Sequence, residues 1–443
     1  MSASKTPTLS GWGRMAVPGR ELRSEDLERI TAGAALSRGL GRSYGDASLP
    51  ADADARVVGT TLADRLLGFD EASSVLRVEA GLCLAELNRL SLPRGLFTPV
   101  TPGTKFVTLG GMVASDVHGK NHHVDGTFGR HVRSLKLRVG NGRVLECSRE
   151  REPELFFATL GGMGLTGHIL EVEFQLARVE SPWIFEERSR VADLDTFLVR
   201  LEDAAKKWPF TVGWIDTIAR GRALGRGILY CGRWAEATEA PKRAPRRHRP
   251  ITMPFALPGF VLSRFTIGVF NSLLYHTAPK HKESFVDPDS FFYPLDRILQ
   301  WNLLYGSRGV AQHQCVLPKE TAAVGVRSLF ETLERMNASS FLSVIKDCGA
   351  EGEGLISFPR PGISVALDIP IHANIGRIID ELNEQVMKYG GRIYLTKDGH
   401  SRPEHVRAMD PRLDGFLEVC RKWDPKGLLR SAQSKRLFES RPS

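Results

Sequence analysis

Two glycine-rich stretches constrain this chain more than any other feature: SRGLGRSYGDA, from Ser37 to Ala47, and GGMVASDVHGKNHHVDGTFGRHV, from Gly110 to Val132. Glycine lets the main chain turn sharply and bring several N–H groups close to one anion, where a side chain would hold them off. Two such turns, separated by about one supersecondary unit, can grip a dinucleotide's pyrophosphate from both sides. The spacing Gly39-x-Gly41-x-x-x-Gly45 is not the Rossmann fingerprint, so a cradle of another type is expected.

A chain of 443 residues exceeds one ordinary core and predicts two domains. From Ala34 to Leu176, short apolar strands alternate with a helical pattern. Val75 to Leu82 reads as a strand and Cys83 to Leu92 as a helix, and the Asn141-Gly142 pair predicts a hairpin with a type I′ turn. Beyond Pro182 a helix is expected over 191–208, followed by strands at VGWIDTI and GRGILYCGRW. Further strands are read at GVAQHQCVLP, SFLSVIKDCG and GISVALDIPI, crossed by helices over 319–337 and 375–389. The expected class is α+β with a mixed second sheet: a cofactor unit over 1–181, a substrate unit over 182–390, and a segment over 391–443 returning to the first.

The net charge of +9 favours anionic partners. The basic run Arg243 to Arg249 has no nucleic-acid reading motif beside it, so nucleic acid is not an expected partner. The six cysteines are scattered without a C-x-x-C pair and read as reduced thiols. The opening MSASKTPTLSGWGR has no apolar core, so a cytoplasmic location is the expectation. Pro254 to Leu274 is interrupted by Pro258, Arg264 and Asn271 and reads as an interfacial segment or flap rather than a membrane span.

The glycine stretches combine with TPGTKFVTLGG, TFGRHVRSL, ELFFATLGGMGLTGHIL, WNLLYG, SFPRPG and IYLTKDG followed by CRKWDP. In collinear order over nearly the whole chain, these motifs resemble the vanillyl-alcohol-oxidase type of flavoprotein, with its PCMH-type FAD-binding fold. Within that family the resemblance narrows to oxidases of a phosphorylated, polyprenyl-linked pentose. It implies an FAD-dependent oxidoreductase that converts a secondary hydroxyl to a ketone, the first half of an epimerisation. A separate short-chain reductase partner would complete it, with peripheral association at the inner membrane. An oxidase or dehydrogenase of a soluble sugar, polyol or aldonolactone is the alternative.

By this resemblance, Ser37, Arg38, Gly39, Leu40, Gly41, Arg42, Ser43, Tyr44, Gly45, Asp46 and Ala47 wrap the pyrophosphate with Gly103, Thr108, Leu109, Gly110 and Gly111. Ser115, Asp116, Val117 and His118 run along the flavin, and Ile169 and Tyr394 add contacts. Arg42 stands where covalently flavinylated members often carry histidine, so non-covalent FAD is expected. Lys397 is implied as the catalytic anchor, stabilising charge on the reduced cofactor and hydrogen-bonding the substrate hydroxyl. His118 is implied as a catalytic proton acceptor or orienter. For the substrate, the resemblance points to Trp214 and Tyr305 as an aromatic floor. Gln312 and Gln314, two apart and so on one strand face, would meet sugar hydroxyls, and Lys120 and Lys346 would meet phosphate. Ala366 replaces a pocket-lining cysteine of the resembled oxidases. His118, His122 and His123 have no complementary Cys/Asp/Glu set at ligand spacing, so no metal is expected.

Overall fold

The computed structural model describes residues 7–246 and 248–439. Residues 1–6, part of the reading against a leader, lie outside the described residues, as do Arg247 of the basic run and residues 440–443.

Five antiparallel strands form the sheet of the N-terminal part, in the order Val144–Ser148, Val132–Arg138, His168–Gln175, Val75–Glu79, Leu66–Asp70. Period-two alternation buries Leu76, Val78, Leu135, Leu137, Val172 and Phe174. On the opposite face Arg77 bridges Glu146 and Glu171, and Lys136 joins Glu171. A small parallel sheet of Glu21–Arg23, Val57–Gly59 and Leu36–Arg38 delivers the first glycine stretch from its last-named strand.

The hairpin at Asn141-Gly142 forms, but its turn differs from the expected one. Val139 N–H bonds Arg143 O, leaving a three-residue loop in which Gly142 alone has positive φ, at 90°. A type I′ turn needs both central residues left-handed. Here Asn141 N–H is tied to Trp423 O, and a Cβ on Gly140 would collide with Asp424, so the C-terminal segment dictates the turn.

The second sheet has eight strands, in the order His281–Val286, Ile184–Val191, Gly227–Trp234, Phe210–Ile215, Leu342–Cys348, Gly362–Pro370, Val310–Leu317, Arg392–Ile393. Every neighbouring pair is antiparallel, whereas a mixed sheet was expected. The helix Lys319–Arg335 does connect two strands of like direction, but Gly362–Pro370 inserts between them and pairs antiparallel with both.

The helices Leu194–Ala205, Lys319–Arg335 and Ile375–Lys388 cover one face of this sheet. Gly213 is required there, because a Cβ would strike the Phe197 ring. The other face, carrying the residues one step out of phase, turns toward the glycine stretches. The segment after Ile393 packs back on the first part: Arg430 pairs with Asp52 at 2.9 Å and Arg436 with Asp46 at 2.8 Å.

Candidate active site

The Leu36–Arg38 strand ends in a turn at Gly41, with φ of 64°. A Cβ on Gly39 would collide with Thr108 Oγ1, so the two glycine stretches touch. Among the described residues, the N–H groups of Gly39 to Ser43 donate to no internal acceptor. In the second stretch, by contrast, Leu109 N–H bonds Leu82 O, Gly110 N–H bonds Ala80 O, and Gly111 N–H bonds the capping Thr108 Oγ1. A two-sided grip by main-chain amides is therefore not what the fold offers. The first turn holds the free donors, and the second contributes a wall and a helix start.

Arg38 and Asp46 are struts of the cradle. Arg38 donates to Ser10 O and Ser48 O, and Asp46 accepts twice from Arg436. Ser37 Oγ meets the buried His168 Nδ1 at 2.8 Å, a partner the sequence reading missed. Ala47, Leu109, Val117 and Ile169 are buried, while Leu40 and Gly103 lie at the exposed rim. The Arg42 guanidinium stacks on Trp12 at 4.1 Å, and its Nε has no partner among the described residues.

Tyr44 N–H bonds Thr396 O at 3.1 Å, and a Cβ on Gly45 would overlap Asp398 O. This close approach seats the YLTKDG segment against the first turn and puts Lys397 Nζ 4.3 Å from the Tyr44 ring centroid. Asp116 is fully buried, and burial pushes its carboxyl up to about 6. It accepts from Gly129 N–H at 2.8 Å and from the Ser357 hydroxyl, so it fixes the loop rather than facing a ligand. Tyr394 OH donates to Ser115 O at 2.7 Å, and its ring stacks on Phe358 and lies 5.0 Å from the His118 ring. Gln314 Nε2 donates to His118 Nε2 at 3.0 Å, which leaves His118 Nδ1 buried without a partner among the described residues. Burial, reinforced by Lys346, holds His118 well below the ordinary imidazole range.

The face of the large sheet that turns toward the glycine stretches brings the expected substrate residues together. Trp214, Val344, Ala366 and Gln314 lie in one cross-strand row, with Lys346 beside Ser364 in the next. Lys346 Nζ donates to Gly119 O at 2.9 Å and Lys120 Nζ to Phe292 O at 3.1 Å. Burial pulls these ammonium groups down to about 8 and about 7. Asp368, which the sequence reading missed, is fully buried on the same face. It accepts from Gln312 and, at 3.3 Å, from Tyr305 OH. Its spacing of two from Ala366 was the available signal. Burial raises Asp368 and lowers Lys397, while attraction between them opposes both changes. Gln312, Gln314, Tyr394 and Lys397 border a cleft of about 270 Å³.

Free amides at Gly39 to Ser43, the unpartnered Arg42 Nε and the orphan His118 Nδ1 suit a cofactor with a diphosphate and a polar ring. The family described as FAD binding domain matches residues 32–148, which include both turns. Decaprenylphosphoryl-beta-D-ribose oxidase of Mycolicibacterium smegmatis is 33% identical over 460 residues, covering 99% of each chain. An uncharacterized protein in the mprA 5′ region of Streptomyces coelicolor is 31% identical over 370 residues, 80% of this chain and 100% of that one. L-gulonolactone oxidase of Bos taurus is 34% identical over 114 residues, 25% of each chain. The cradle and the sheet above it thus define a flavoprotein, an FAD-dependent oxidoreductase. Similarity extends through the substrate-facing sheet as well as the cradle, and the chain belongs to the decaprenylphosphoryl-beta-D-ribose oxidase family.

Proposed function

We propose that this enzyme oxidises a secondary hydroxyl of a ribose carried on a polyprenyl phosphate, giving the ketone. One observation carries the reading beyond family membership: Lys346, buried, and Lys120, half-buried, stand along the substrate face and, among the described residues, form no ion pair. A buried ammonium without a counter-ion is costly, and an anionic substrate supplies the missing charge. The lactone oxidase relative matches a quarter of the chain, so it speaks for the cradle alone.

In this reading residues 1–181 with 391–443 hold FAD, and 182–390 bind the sugar. The amides of Gly39 to Ser43 and the Arg42 guanidinium hold the diphosphate, with Ser115 and His118 beside the ring system. Bound FAD supplies the acceptor for the carbinol hydride. Burial lowers Lys397, and in its neutral-amine form, with Asp368 alongside, Lys397 Nζ receives the hydroxyl proton. His118 is the weaker base because Nε2 already accepts a hydrogen bond, and it orients the sugar through Nδ1–H. Gln312 and Gln314 meet the other hydroxyls, Trp214 and Tyr305 form the floor, and Ala366 leaves a small apolar wall. The ketone calls for a short-chain reductase as the next enzyme, and the lipid tail calls for work at a membrane surface.

Anaerobic mixing with decaprenylphosphoryl-ribose tests this reading. The flavin absorbance should bleach with that compound and stay unchanged with ribose or aldonolactones. Bleaching by a soluble sugar alone overturns it.

A further inference from the structure

Residues 240–282 hold eight lysines and arginines and not one aspartate or glutamate, against a net charge of +9 for the whole chain. Within this stretch the helix Arg264–Thr277 turns several large apolar side chains outward. Phe265, Val269 and Leu273, at i, i+4 and i+8, form one stripe, and they are 78%, 54% and 62% exposed. The opposite side is fastened down: Ile267 is buried, Asn271 Nδ2 donates to Asp216 at 2.9 Å, and the Arg226 guanidinium covers Tyr275 at 4.7 Å. The stripe is therefore fixed in its outward direction. Phe255, 63% exposed, adds a further apolar side chain to the same acid-free stretch.

From these observations we infer that the Arg264–Thr277 helix is a docking surface for an anionic lipid bilayer, lying in the headgroup plane. An exposed apolar stripe within a cationic, acid-free segment is the chemistry of an interfacial helix. Anionic headgroups complement the charge, and acyl chains take up the phenylalanines and leucine. Among the described residues no helix is long and apolar enough to cross a membrane, and this one has 14 residues. The surface is continuous with the site. Phe270 lies 5.2 Å from Phe341, Phe341 lies 5.9 Å from Tyr305, and Tyr305 OH bonds Asp368. Leu262, just ahead of the helix, packs on the cluster of Tyr44, Trp301 and Tyr305. A docked helix thus sets the mouth of the substrate cleft at the bilayer, so a polyprenyl tail stays in lipid while its sugar reaches Lys397. This inference rests on the lipid-linked reading of the substrate.

The test is flotation of the full-length, FAD-loaded enzyme with vesicles of phosphatidylcholine containing phosphatidylglycerol, and with vesicles of phosphatidylcholine alone. Wild type should float with the anionic vesicles. Binding should fall at least about tenfold at high salt, on neutral vesicles, or in the Phe265→Ser, Val269→Ser, Leu273→Ser triple variant. Flavin absorbance and thermal unfolding of that variant should match wild type, which confirms its fold. Wild type that remains in solution, or a triple variant that floats equally, overturns the inference. So does a concentration-dependent dimer abolished by the triple change, since the stripe would then cover a second copy. Bleaching by decaprenylphosphoryl-ribose in detergent, measured in parallel, reports on the substrate alone and separates the two readings.

Discussion

Replacing Lys346 with methionine should yield a more stable protein and a poorer enzyme. The side chain is 7% exposed, donates one hydrogen bond to Gly119 O, and is pulled by burial from its ordinary 10.5 down to about 8. At about 1.4 kcal/mol per pH unit, keeping this ammonium charged within the fold costs about 3 kcal/mol. Methionine has nearly the same length and loses only the hydrogen bond, worth about 1 kcal/mol, so a net gain of about 2 kcal/mol is expected. Because the folded value lies below the unfolded one, the penalty is complete below about pH 8. It fades as pH climbs toward the unfolded value, where both states have lost the proton. Guanidinium titrations of the substrate-free, FAD-loaded enzyme should therefore show the largest advantage of the variant near about pH 7 and a much smaller one near about pH 10. In turnover, loss of a charged donor to phosphate should raise KM at least about tenfold while kcat changes little. A variant less stable than wild type at neutral pH, or one with an unaltered KM, refutes the view that Lys346 is an unpaired charge kept for an anion.

Lys397→Ala should retain FAD and slow anaerobic flavin bleaching about 100-fold or more, and wild-type bleaching rates would remove the lysine from the mechanism. Gly39→Ala should lower FAD occupancy, because its Cβ collides with Thr108 Oγ1, and adding Thr108→Ala should restore part of it. Full occupancy in the single variant would show that contact between the two stretches is dispensable. Lys120 and Lys346 sit at about 7 and about 8, so raising pH through that interval discharges the anion site. KM should climb accordingly, and a flat KM between about pH 6 and 9 counts against the phosphate role. Acid denaturation should release all FAD, since Arg42 cannot form a histidyl link; colour left on the polypeptide contradicts that.

The cradle was legible because glycine composition reports directly on backbone shape, and the substrate face because a period of two assigns Gln312, Gln314 and Ala366 to one side. Asp368 belongs to the same pattern but sits in an apolar strand, ISVALDIP, where a carboxylate reads as an irregularity until Tyr305 and Gln312 are seen around it. Which glycine stretch keeps free amides was not readable, because the second is silenced by the carbonyls of Ala80 and Leu82, a partnership set by tertiary contact. The turn at Asn141-Gly142 followed its C-terminal neighbours over its own preference. The second sheet came out antiparallel because a helical crossover fixes strand direction and not adjacency.

The seat of Lys397 against Gly45 has a consequence for biosynthesis. The floor beneath the first glycine turn is built from residues 396–399, and Gln433 and Arg436 clamp that floor through Leu395 O and Asp398. A nascent chain that stops short of residue 396 has the turn but lacks this floor. Capture of the redox group is thereby deferred until residues 396–436 have been made, and products terminated before them emerge without that support.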